Sequence, residues 1–314
     1  MSSPAPILPD FGVPQGNGWI SAMRAGEFER VWSITDRDLA RCAGPGDKHK
    51  GPRHLQRIWR GEELGDRTVL VRCYHGLGDT IQFARFLPAL AERARRLIVW
   101  CQPELLPLVE RVEGVDQALP LHNGTVEAAF DVDIEIMEIP HAIRAGRDLI
   151  ECRKPYLAAP RGAPPRRITA RQGLSAGLVW EVGDWDKRRA VPPALLNRLK
   201  QDGVELYALQ RGAAPEDLAA TGAIDISTPD IGTLCHRLGE LDLILSVDTM
   251  VVHLAGALGY RPWVLLHADC DWRWPAPGGV SHWYPGATLF HQRIAGDWAG
   301  VMDDVREALR RRLD

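Results

Sequence analysis

The sequence predicts an α/β protein built from two doubly wound halves. From Leu64 onward, apolar runs of strand length alternate with helical patterns, which is typical of parallel sheets covered by helices. Two short polar turns, at 75–80 and 246–249, each follow an apolar run and precede a helical pattern. A strand, turn, helix and second strand form a right-handed crossover unit, so each turn is expected at the carboxyl edge of a sheet, where ligands bind.

The elements of the first half follow a short helical extension. Residues 19–43 carry a helical pattern broken at Gly26, and they resemble one helix–turn–helix unit of a tetratricopeptide array. One such unit cannot bury its apolar face alone, so it must pack on the rest of the chain or on a partner. The patterns then predict a strand at 68–74, a helix at 80–93, a strand at 97–101, a helix at 103–111 and an edge strand at 132–137.

The second half begins after the clearest linker, a segment rich in Pro and Arg at 155–172. Its predicted strands are 176–180, 204–210, 241–247 and 262–267, and its predicted helices are 194–201, 231–239, 251–258 and 298–314. We therefore divide the chain into an extension (1–60), a first half (61–155), a linker (156–172), a second half (173–297) and a C-terminal helix (298–314).

Composition excludes several classes of protein. The net charge of −3 gives no reason to expect nucleic-acid binding, and no apolar run reaches the ~18–20 residues of a membrane span, so we expect at most peripheral membrane contact. Residues 1–18 lack the basic start and apolar core of a secretory signal. The six cysteines are scattered without metal-ligand or redox spacing. These features predict a cytoplasmic protein with reduced cysteines.

Two motifs together indicate a family. Gly-Leu-Gly-Asp-Thr-Ile-Gln-Phe-Ala-Arg-Phe-Leu-Pro at 76–88 and Ser-Val-Asp-Thr followed by His-Leu-Ala-Gly-Ala-Leu-Gly within 246–259 resemble glycosyltransferase family 9, the ADP-heptose:lipopolysaccharide heptosyltransferases. The likeness is greater to the glycosyltransferase-like domains that follow tetratricopeptide repeats in bacterial proteins. Further matches are Asp-Trp-Arg-Trp at 271–274 and Trp-Tyr-Pro at 283–285.

The resemblance covers roughly residues 55–310 and implies a GT-B fold. In that fold two Rossmann-like domains face each other across a cleft, and the last helix usually crosses back to the first domain. This chain departs from the pattern in the sixty or so residues that precede its first strand and in Met250, where the family commonly has Ala or Gly. These departures leave the sugar and the acceptor open more than the fold.

The first turn supplies the candidate catalytic residue Asp79. Gly76 and Gly78 lack side chains, so a ligand can approach the backbone there, and both are candidate nucleotide-sugar-binding residues. The resemblance implies that Asp79 is the general base that takes the proton of the acceptor hydroxyl. The alternative is that Asp79 caps the helix that begins near Thr80, a role that Asp performs well. The two roles are compatible.

The second half supplies the remaining candidate nucleotide-sugar-binding residues. The N–H groups of Thr249 and Met250, with the Thr249 hydroxyl, are expected around the diphosphate, although Asp248 and Thr249 also suit helix capping. His253 and Gln210 are ligand contacts or ordinary structural residues. The resemblance implies a basic residue shortly before a proline that neutralises the leaving diphosphate, and Arg189 fits best, with Lys187 as second choice.

These residues favour an inverting, metal-independent glycosyltransferase without a cofactor. The donor would be a nucleoside-diphosphate sugar, first an ADP-sugar, with a heptose as the candidate sugar. The acceptor would be a hydroxyl of lipopolysaccharide core or of a protein. The tetratricopeptide-like start slightly favours a protein acceptor. Two alternatives stay open: a non-catalytic nucleotide-sugar-binding or protein-interaction module on the same fold, and a nucleotide-sugar epimerase. Trp272, Trp274 and Trp283 are expected to be packing residues more than sugar-stacking residues.

Overall fold

The computed structural model describes residues 18–42, 59–162, 168, 173–184 and 186–313. The N-terminal segment 1–17, the residues 43–58 that follow the helical extension, and most of the predicted linker (163–167 and 169–172) lie outside the described residues.

The helical extension consists of α1 (Trp19–Arg24) and α2 (Phe28–Cys42). It contacts both halves of the chain. The indole N–H of Trp32 donates to the Ala145 carbonyl oxygen at 3.0 Å in the first half, and the ring of Trp19 lies 5.4 Å from that of Trp272 in the second. The pair therefore packs on the rest of the chain, which is one of the two arrangements expected. Its likeness to a tetratricopeptide unit stays a prediction.

The first half is built on a four-stranded parallel sheet with strand order β3-β2-β1-β4. Its strands are β1 (Thr68–Arg72), β2 (Arg96–Cys101), β3 (Gln117–Pro120) and β4 (Val132–Glu135). Its helices are α3 (Leu77–Phe83), α4 (Leu87–Ala91), α5 (Leu106–Val109), α6 (Ile139–Ala142) and α7 (Arg147–Ile150). Every residue of β1 is buried, as its unbroken apolar run predicts for a central parallel strand.

The second half is built on a six-stranded parallel sheet with strand order β10-β9-β8-β5-β6-β7. Its strands are β5 (Leu174–Val179), β6 (Val204–Ala208), β7 (Ile224–Asp225), β8 (Leu243–Val247), β9 (Trp263–Leu266) and β10 (Thr288–His291). Its helices are α8 (Pro193–Leu196), α9 (Pro215–Thr221), α10 (Ile231–Leu238), α11 (Met250–Ala257) and α12 (Trp298–Leu313). The predicted α/β class with two parallel sheets is confirmed.

Two helices differ from the sequence prediction. The helix predicted at 80–93 begins earlier, at Leu77, and a 3₁₀ turn at Ala84–Phe86 divides it into α3 and α4. Pro88, in the first turn of α4, has no backbone N–H to continue the α-helical ladder across this break. The last helix, α12, packs its buried residues into the core of the second half, whereas the resemblance implied a return to the first domain.

A shared interior joins the two halves. One cluster of buried apolar side chains contains Phe83 of α3 and Trp283 and Tyr284 of the second half, and the rings of Phe83 and Trp283 lie 5.4 Å apart. The buried guanidinium of Arg85 spans the same junction. It donates to the Ile150 carbonyl oxygen at 2.7 Å and to the Trp283 carbonyl oxygen at 2.9 Å. The relative position of the two sheets is therefore maintained by buried contacts.

Candidate functional site

The two turns singled out in the sequence meet at the junction of the halves. Helices α3 and α11, which follow β1 and β8, are in direct contact. A Cβ atom added at Gly78 would lie 2.9 Å from Cδ2 of His253 and 3.4 Å from Cα of Met250. The glycine is thus required for this close packing, and His253 fills the space beside it. Whether Gly76 and Gly78 also approach a ligand stays a prediction.

Asp79 lies in the first turn of α3, facing the second half. Its Oδ2 accepts the backbone N–H of Gly76, the N-cap residue, at 2.9 Å. The carboxylate therefore does satisfy a helix terminus, but from inside the helix, because the helix begins two residues before Asp79. Its Oδ1 accepts a hydrogen bond from Arg273 Nη2 of the second half. The side chain is 25% exposed, so an incoming group can still reach it.

Asp248 and Arg189 form the charged part of the site in the second half. Arg189 donates from Nη1 to the Asp248 carbonyl oxygen at 3.0 Å, and the same nitrogen lies 3.6 Å from Asp248 Oδ2. Burial, and then Asp271, raise the pKa of Asp248 to about 6, against the opposing effects of Arg273, Trp274 and Arg189. Among the described residues, the buried Nε of Arg189 has no hydrogen-bond partner. The guanidinium of Arg189 and the N-terminus of α11 lie together, and such a combination suits an anionic ligand.

His253 lies beneath these charges, one turn into α11. It is buried, its Nδ1 is 2.9 Å from the hydroxyl oxygen of Tyr284, and its ring stacks on Trp274 at 6.2 Å. Burial, and then the cations Arg273, Arg85 and Arg189, hold its pKa well below the ordinary value. The imidazole is therefore neutral, and its contacts here are those of a satisfied interior histidine.

Thr249 and Met250 form the start of α11. Thr249 is the N-cap residue, and its hydroxyl is 3.1 Å from the hydroxyl oxygen of Ser246 and makes no capping bond to the helix. The hydroxyl is thus not used as a cap, contrary to the capping alternative. Asp248 precedes the cap and its carboxylate faces Arg189 instead. A diphosphate contact to the N–H groups of Thr249 and Met250 stays a prediction.

Two of the sequence candidates have partners of their own. Lys187 is 55% exposed, donates to the Val182 carbonyl oxygen at 3.2 Å and lies 3.3 Å from a carboxylate oxygen of Asp184. The side-chain oxygen of Gln210 accepts the backbone N–H of Glu181 at 2.9 Å, and so fixes the segment after β5. The structure therefore brings Arg189, more than Lys187, to the start of α11.

Three further polar residues belong to the site. Arg273 contacts Asp79 from the opposite half, although 194 residues separate them in the chain. At the end of β1, His75 Nε2 lies 2.6 Å from Glu135 Oε1. Burial alone would lower the pKa of His75, but Glu135 and then Asp79 raise it. The Asp-Trp-Arg-Trp motif pointed to Arg273. For His75 and Glu135, the sequence indication was that His75 closely follows β1 and that Glu135 is the last residue of β4.

The tryptophans of the two C-terminal motifs are packing residues. Trp274 and Trp283 are fully buried, as expected from the sequence, and Trp272 lies between the ring of Trp19 and the guanidinium of Arg273. Within the described part of the chain, no group of three or more His, Cys, Asp and Glu side chains is placed to hold a metal ion. No helix in that same part is both long and apolar enough to cross a membrane.

Comparison with known sequences finds one curated relative and no matching family model. Protein FlbA of Caulobacter vibrioides is 25% identical over an alignment of 337 residues, which covers 94% of this chain and 52% of that protein. The chain therefore spans about half the length of the curated relative that it matches. None of the family models searched matches the chain.

Comparison with solved structures finds heptosyltransferases. The glycosyltransferase family 9 protein of Veillonella parvula DSM 2008 aligns with a TM-score of 0.52 and 12% identity, over 81% of this chain and 99% of that one. The iron-containing dodecameric heptosyltransferase TibC of enterotoxigenic E. coli, in complex with ADP-D-beta-D-heptose, aligns with a TM-score of 0.53 and 13% identity, over 80% of this chain and 78% of that one.

A third structure is similar to the same extent. ADP-heptose lipopolysaccharide heptosyltransferase II of E. coli aligns with a TM-score of 0.50 and 14% identity, over 78% of this chain and 98% of that one. At such identities the likeness concerns the fold. This structural likeness, the two parallel sheets and the contact between α3 and α11 together show the fold. The chain has the GT-B fold of the family 9 glycosyltransferase structures.

Proposed function

We propose that this chain is an inverting glycosyltransferase that uses a nucleoside-diphosphate sugar. The observation that carries the proposal is a continuous series of charged groups across the junction of the halves. Asp79 contacts Arg273, the field of Arg273 acts on Asp248, and Asp248 lies against Arg189. A carboxylate on one half, and an arginine beside a helix N-terminus on the other, suit the two tasks of sugar transfer, proton removal and stabilisation of the leaving group.

The proposed reaction assigns one task to each side of the junction. Asp79 takes the proton from an acceptor hydroxyl, whose oxygen forms the new bond to the anomeric carbon of the sugar. The bond from that carbon to the diphosphate oxygen breaks on the opposite side, and its electron pair leaves with the nucleoside diphosphate. Arg189 and the N–H groups at the start of α11 stabilise the added negative charge on the leaving group.

The donor and acceptor are narrower proposals. The sequence resemblance and the ADP-heptose complex of TibC support an ADP-sugar, with ADP-heptose as the first to test. The acceptor would be a hydroxyl of lipopolysaccharide core or of a protein, and the helical pair at the N-terminus favours a protein. We expect the reaction to take place in the cytoplasm without nucleic acid, metal or organic cofactor.

One observation favours a second candidate, a non-catalytic nucleotide-sugar-binding or protein-interaction module. Both oxygens of Asp79 already accept hydrogen bonds, and His253 occupies the space beside Gly78. Such a chain would bind a nucleotide sugar without consuming it, or would bind none. A carboxylate has about four lone-pair positions, so two accepted bonds still leave room for an acceptor hydroxyl. We therefore retain the enzyme as the main proposal.

A donor panel tests the proposal. The chain is titrated calorimetrically with ADP-, GDP-, UDP- and CMP-sugars, and each mixture is then followed by mass spectrometry for hydrolysis and for transfer to lipopolysaccharide or protein. Binding of one donor with release of its nucleoside diphosphate supports the enzyme. Binding without any turnover supports the non-catalytic nucleotide-sugar-binding module. The absence of binding by every donor contradicts the enzyme and is the result expected of a protein-interaction module.

A further inference from the structure

We propose that Arg273 is a positioning residue that orients the carboxylate of Asp79 from the opposite half of the molecule. This proposal rests on the function proposed above and adds a group to its machinery. Arg273 lies in the segment between β9 and β10, whereas Asp79 lies in α3 of the first half. The base would thus be set in place only when the two halves are together.

The guanidinium of Arg273 is fixed in three directions. Nη2 donates to Asp79 Oδ1, Nε donates to the side-chain oxygen of Gln82 at 2.6 Å, and Nη1 donates to Asp271 Oδ1 at 2.9 Å. The group also stacks on the ring of Trp272, 4.3 Å from its centre, and the side chain is only 10% exposed. A planar guanidinium with these partners has a single orientation, so it can define the position of a carboxylate.

Asp79 is consequently held from both sides. Its Oδ2 is fixed by the Gly76 N–H of its own helix, and its Oδ1 by Arg273 of the other half. Rotation of the carboxylate about its last bond would break one of these hydrogen bonds. Because a general base must meet the acceptor hydroxyl at hydrogen-bond distance, loss of one anchor should slow transfer without affecting the nucleotide site.

The segment that carries Arg273 is supported by the N-terminal helical pair. Arg24 of α1 donates from Nη2 to the carbonyl oxygen of Cys270, and the ring of Trp19 packs edge-on against Trp272 at 5.4 Å. Neither contact involves Asp79. The helical extension therefore supports the segment that carries Arg273, and through Arg273 it helps to hold the carboxylate of Asp79. The sequence position of the extension does not suggest such a role.

The competing interpretation is that Arg273 only joins the two halves, as Arg85 does. A joining residue would affect stability, and its removal would impair every function in proportion. Removal of a positioning residue lowers the rate at saturating donor, and it does so only in a chain that still contains Asp79. The two interpretations differ in whether loss of Arg273 lowers kcat alone or also changes KM. They differ again in whether its loss still lowers the rate when Asp79 is already replaced by Asn.

The test uses ADP release from ADP-heptose, with water as acceptor, in the full chain. We expect Arg273→Gln to lower kcat about 10- to 100-fold with KM and calorimetric ADP affinity within about twofold, and Arg273→Lys to recover part of the rate. In the Asp79→Asn background, Arg273→Gln should add little. Arg147→Gln is the matched control, because Arg147 joins the helical pair to the first half through the Gly26 carbonyl oxygen, away from Asp79.

Several results would overturn the role. These are an unchanged kcat in Arg273→Gln, a loss of ADP affinity as large as the loss of rate, or an equal loss of rate with and without Asp79. If Arg273→Gln does not fold, Trp272→Leu is the alternative variant, because it removes the stacked ring and keeps the charges. Trp272→Leu should also lower kcat. An unaltered kcat in this variant would contradict the positioning role. A wild-type chain that binds this donor but neither hydrolyses it nor transfers its sugar to lipopolysaccharide or protein overturns the proposed function as well.

Discussion

Arg189 and Lys187 are close in the sequence but lie in different environments. Lys187 is exposed, and its ammonium lies 3.3 Å from a carboxylate oxygen of Asp184 in the same loop. Arg189 reaches the start of α11, and its Nε has no partner among the described residues. Sequence spacing alone left both as candidates for binding the leaving diphosphate. The structure favours Arg189.

A pair of variants tests this assignment. Arg189→Ala should weaken ADP binding by ~1.5–3 kcal/mol, the worth of a charge-assisted hydrogen bond, measured by calorimetry at fixed ionic strength. Lys187→Ala is the control and should change ADP affinity much less, because its ammonium is engaged elsewhere. Equal losses in the two variants would mean that the loop contributes only general positive charge. An unchanged affinity in Arg189→Ala would remove that residue from the site.

The raised pKa of Asp248 predicts a pH dependence of stability. Its pKa is about 6 in the folded chain against 3.8 for an ordinary Asp, because burial and Asp271 disfavour the ionised form. The folded state therefore binds this proton more tightly than the unfolded state, and the free energy of unfolding falls as the pH rises from about 4 to about 6. The shift corresponds to about 3 kcal/mol once Asp248 is fully ionised.

Asp248→Asn removes this titration while preserving the shape of the side chain. The free energy of unfolding of the variant, minus that of the wild type, should therefore increase by about 2–2.5 kcal/mol between pH 4 and pH 7, because the remainder of the effect develops below pH 4. Urea unfolding of both proteins at the two pH values gives this difference, in which titrations shared by the two proteins cancel. A difference that does not change with pH would show that Asp248 titrates as an ordinary carboxyl group.

At the scale of elements, α2 shows how the extension is attached. Trp32 is buried and donates to the Ala145 carbonyl oxygen, whereas Leu39 of the same helix is 43% exposed. Trp32→Ala should lower the free energy of unfolding by about 3–5 kcal/mol, because it leaves a large cavity between α2 and the first half. Leu39→Ala should change it by no more than about 0.5 kcal/mol. Denaturant unfolding compares them, and equal effects would contradict this docking of α2.

The elements that sequence patterns identified share a physical property. β1 and β8 are buried along their whole length, and each contains three consecutive apolar residues that are easy to recognise in the sequence. β7 is two exposed residues long, and β10 lies at the edge of its sheet with only Phe290 buried, so neither produces such a run. These two strands depend on pairing with a neighbour, and their local sequence does not contain that information. The edge strand β4, in contrast, is predicted by the pattern at 132–137.

The candidate site, like the strands, could be predicted only in part from the sequence. The turns at Asp79 and Asp248 follow strands, so their place at a carboxyl edge could be inferred from the order of elements. Their contact with one another, and the contact of Arg273 with Asp79, arise from the packing of two halves whose residues are far apart in the chain. Gln210 also shows the limit of sequence reasoning, since its side chain, at the end of β6, accepts a backbone N–H from the segment after the neighbouring strand β5.

At the scale of the whole molecule, the halves are held together by a shared interior and by Arg85. The same arrangement places α11 against α3. We predict that ADP binding persists in excess chelator, because Arg189 and the start of α11 are the groups assigned to the diphosphate. Calorimetry with and without EDTA measures this, and strict dependence on added magnesium, manganese or iron would refute it.

The central claim is that Asp79 is the base of a sugar transfer, and one variant tests it most directly. Asp79→Asn retains an oxygen that can accept the Gly76 N–H, and Arg273 retains Asp271, so the chain should fold and bind donor much as the wild type does. An amide cannot take the proton of the acceptor, so the rate should fall about 10²–10⁴-fold. His75→Gln is the comparison, since His75 is a second titratable group at the same edge.

The decisive measurement therefore compares the wild type, Asp79→Asn and His75→Gln. Nucleoside-diphosphate release and sugar transfer are measured for each protein, together with its donor affinity and melting temperature. The account predicts that Asp79→Asn loses nearly all turnover at an almost unchanged donor affinity, and that His75→Gln retains most of it. Full activity in Asp79→Asn, or a selective loss in His75→Gln, would contradict the assignment of Asp79 as the base.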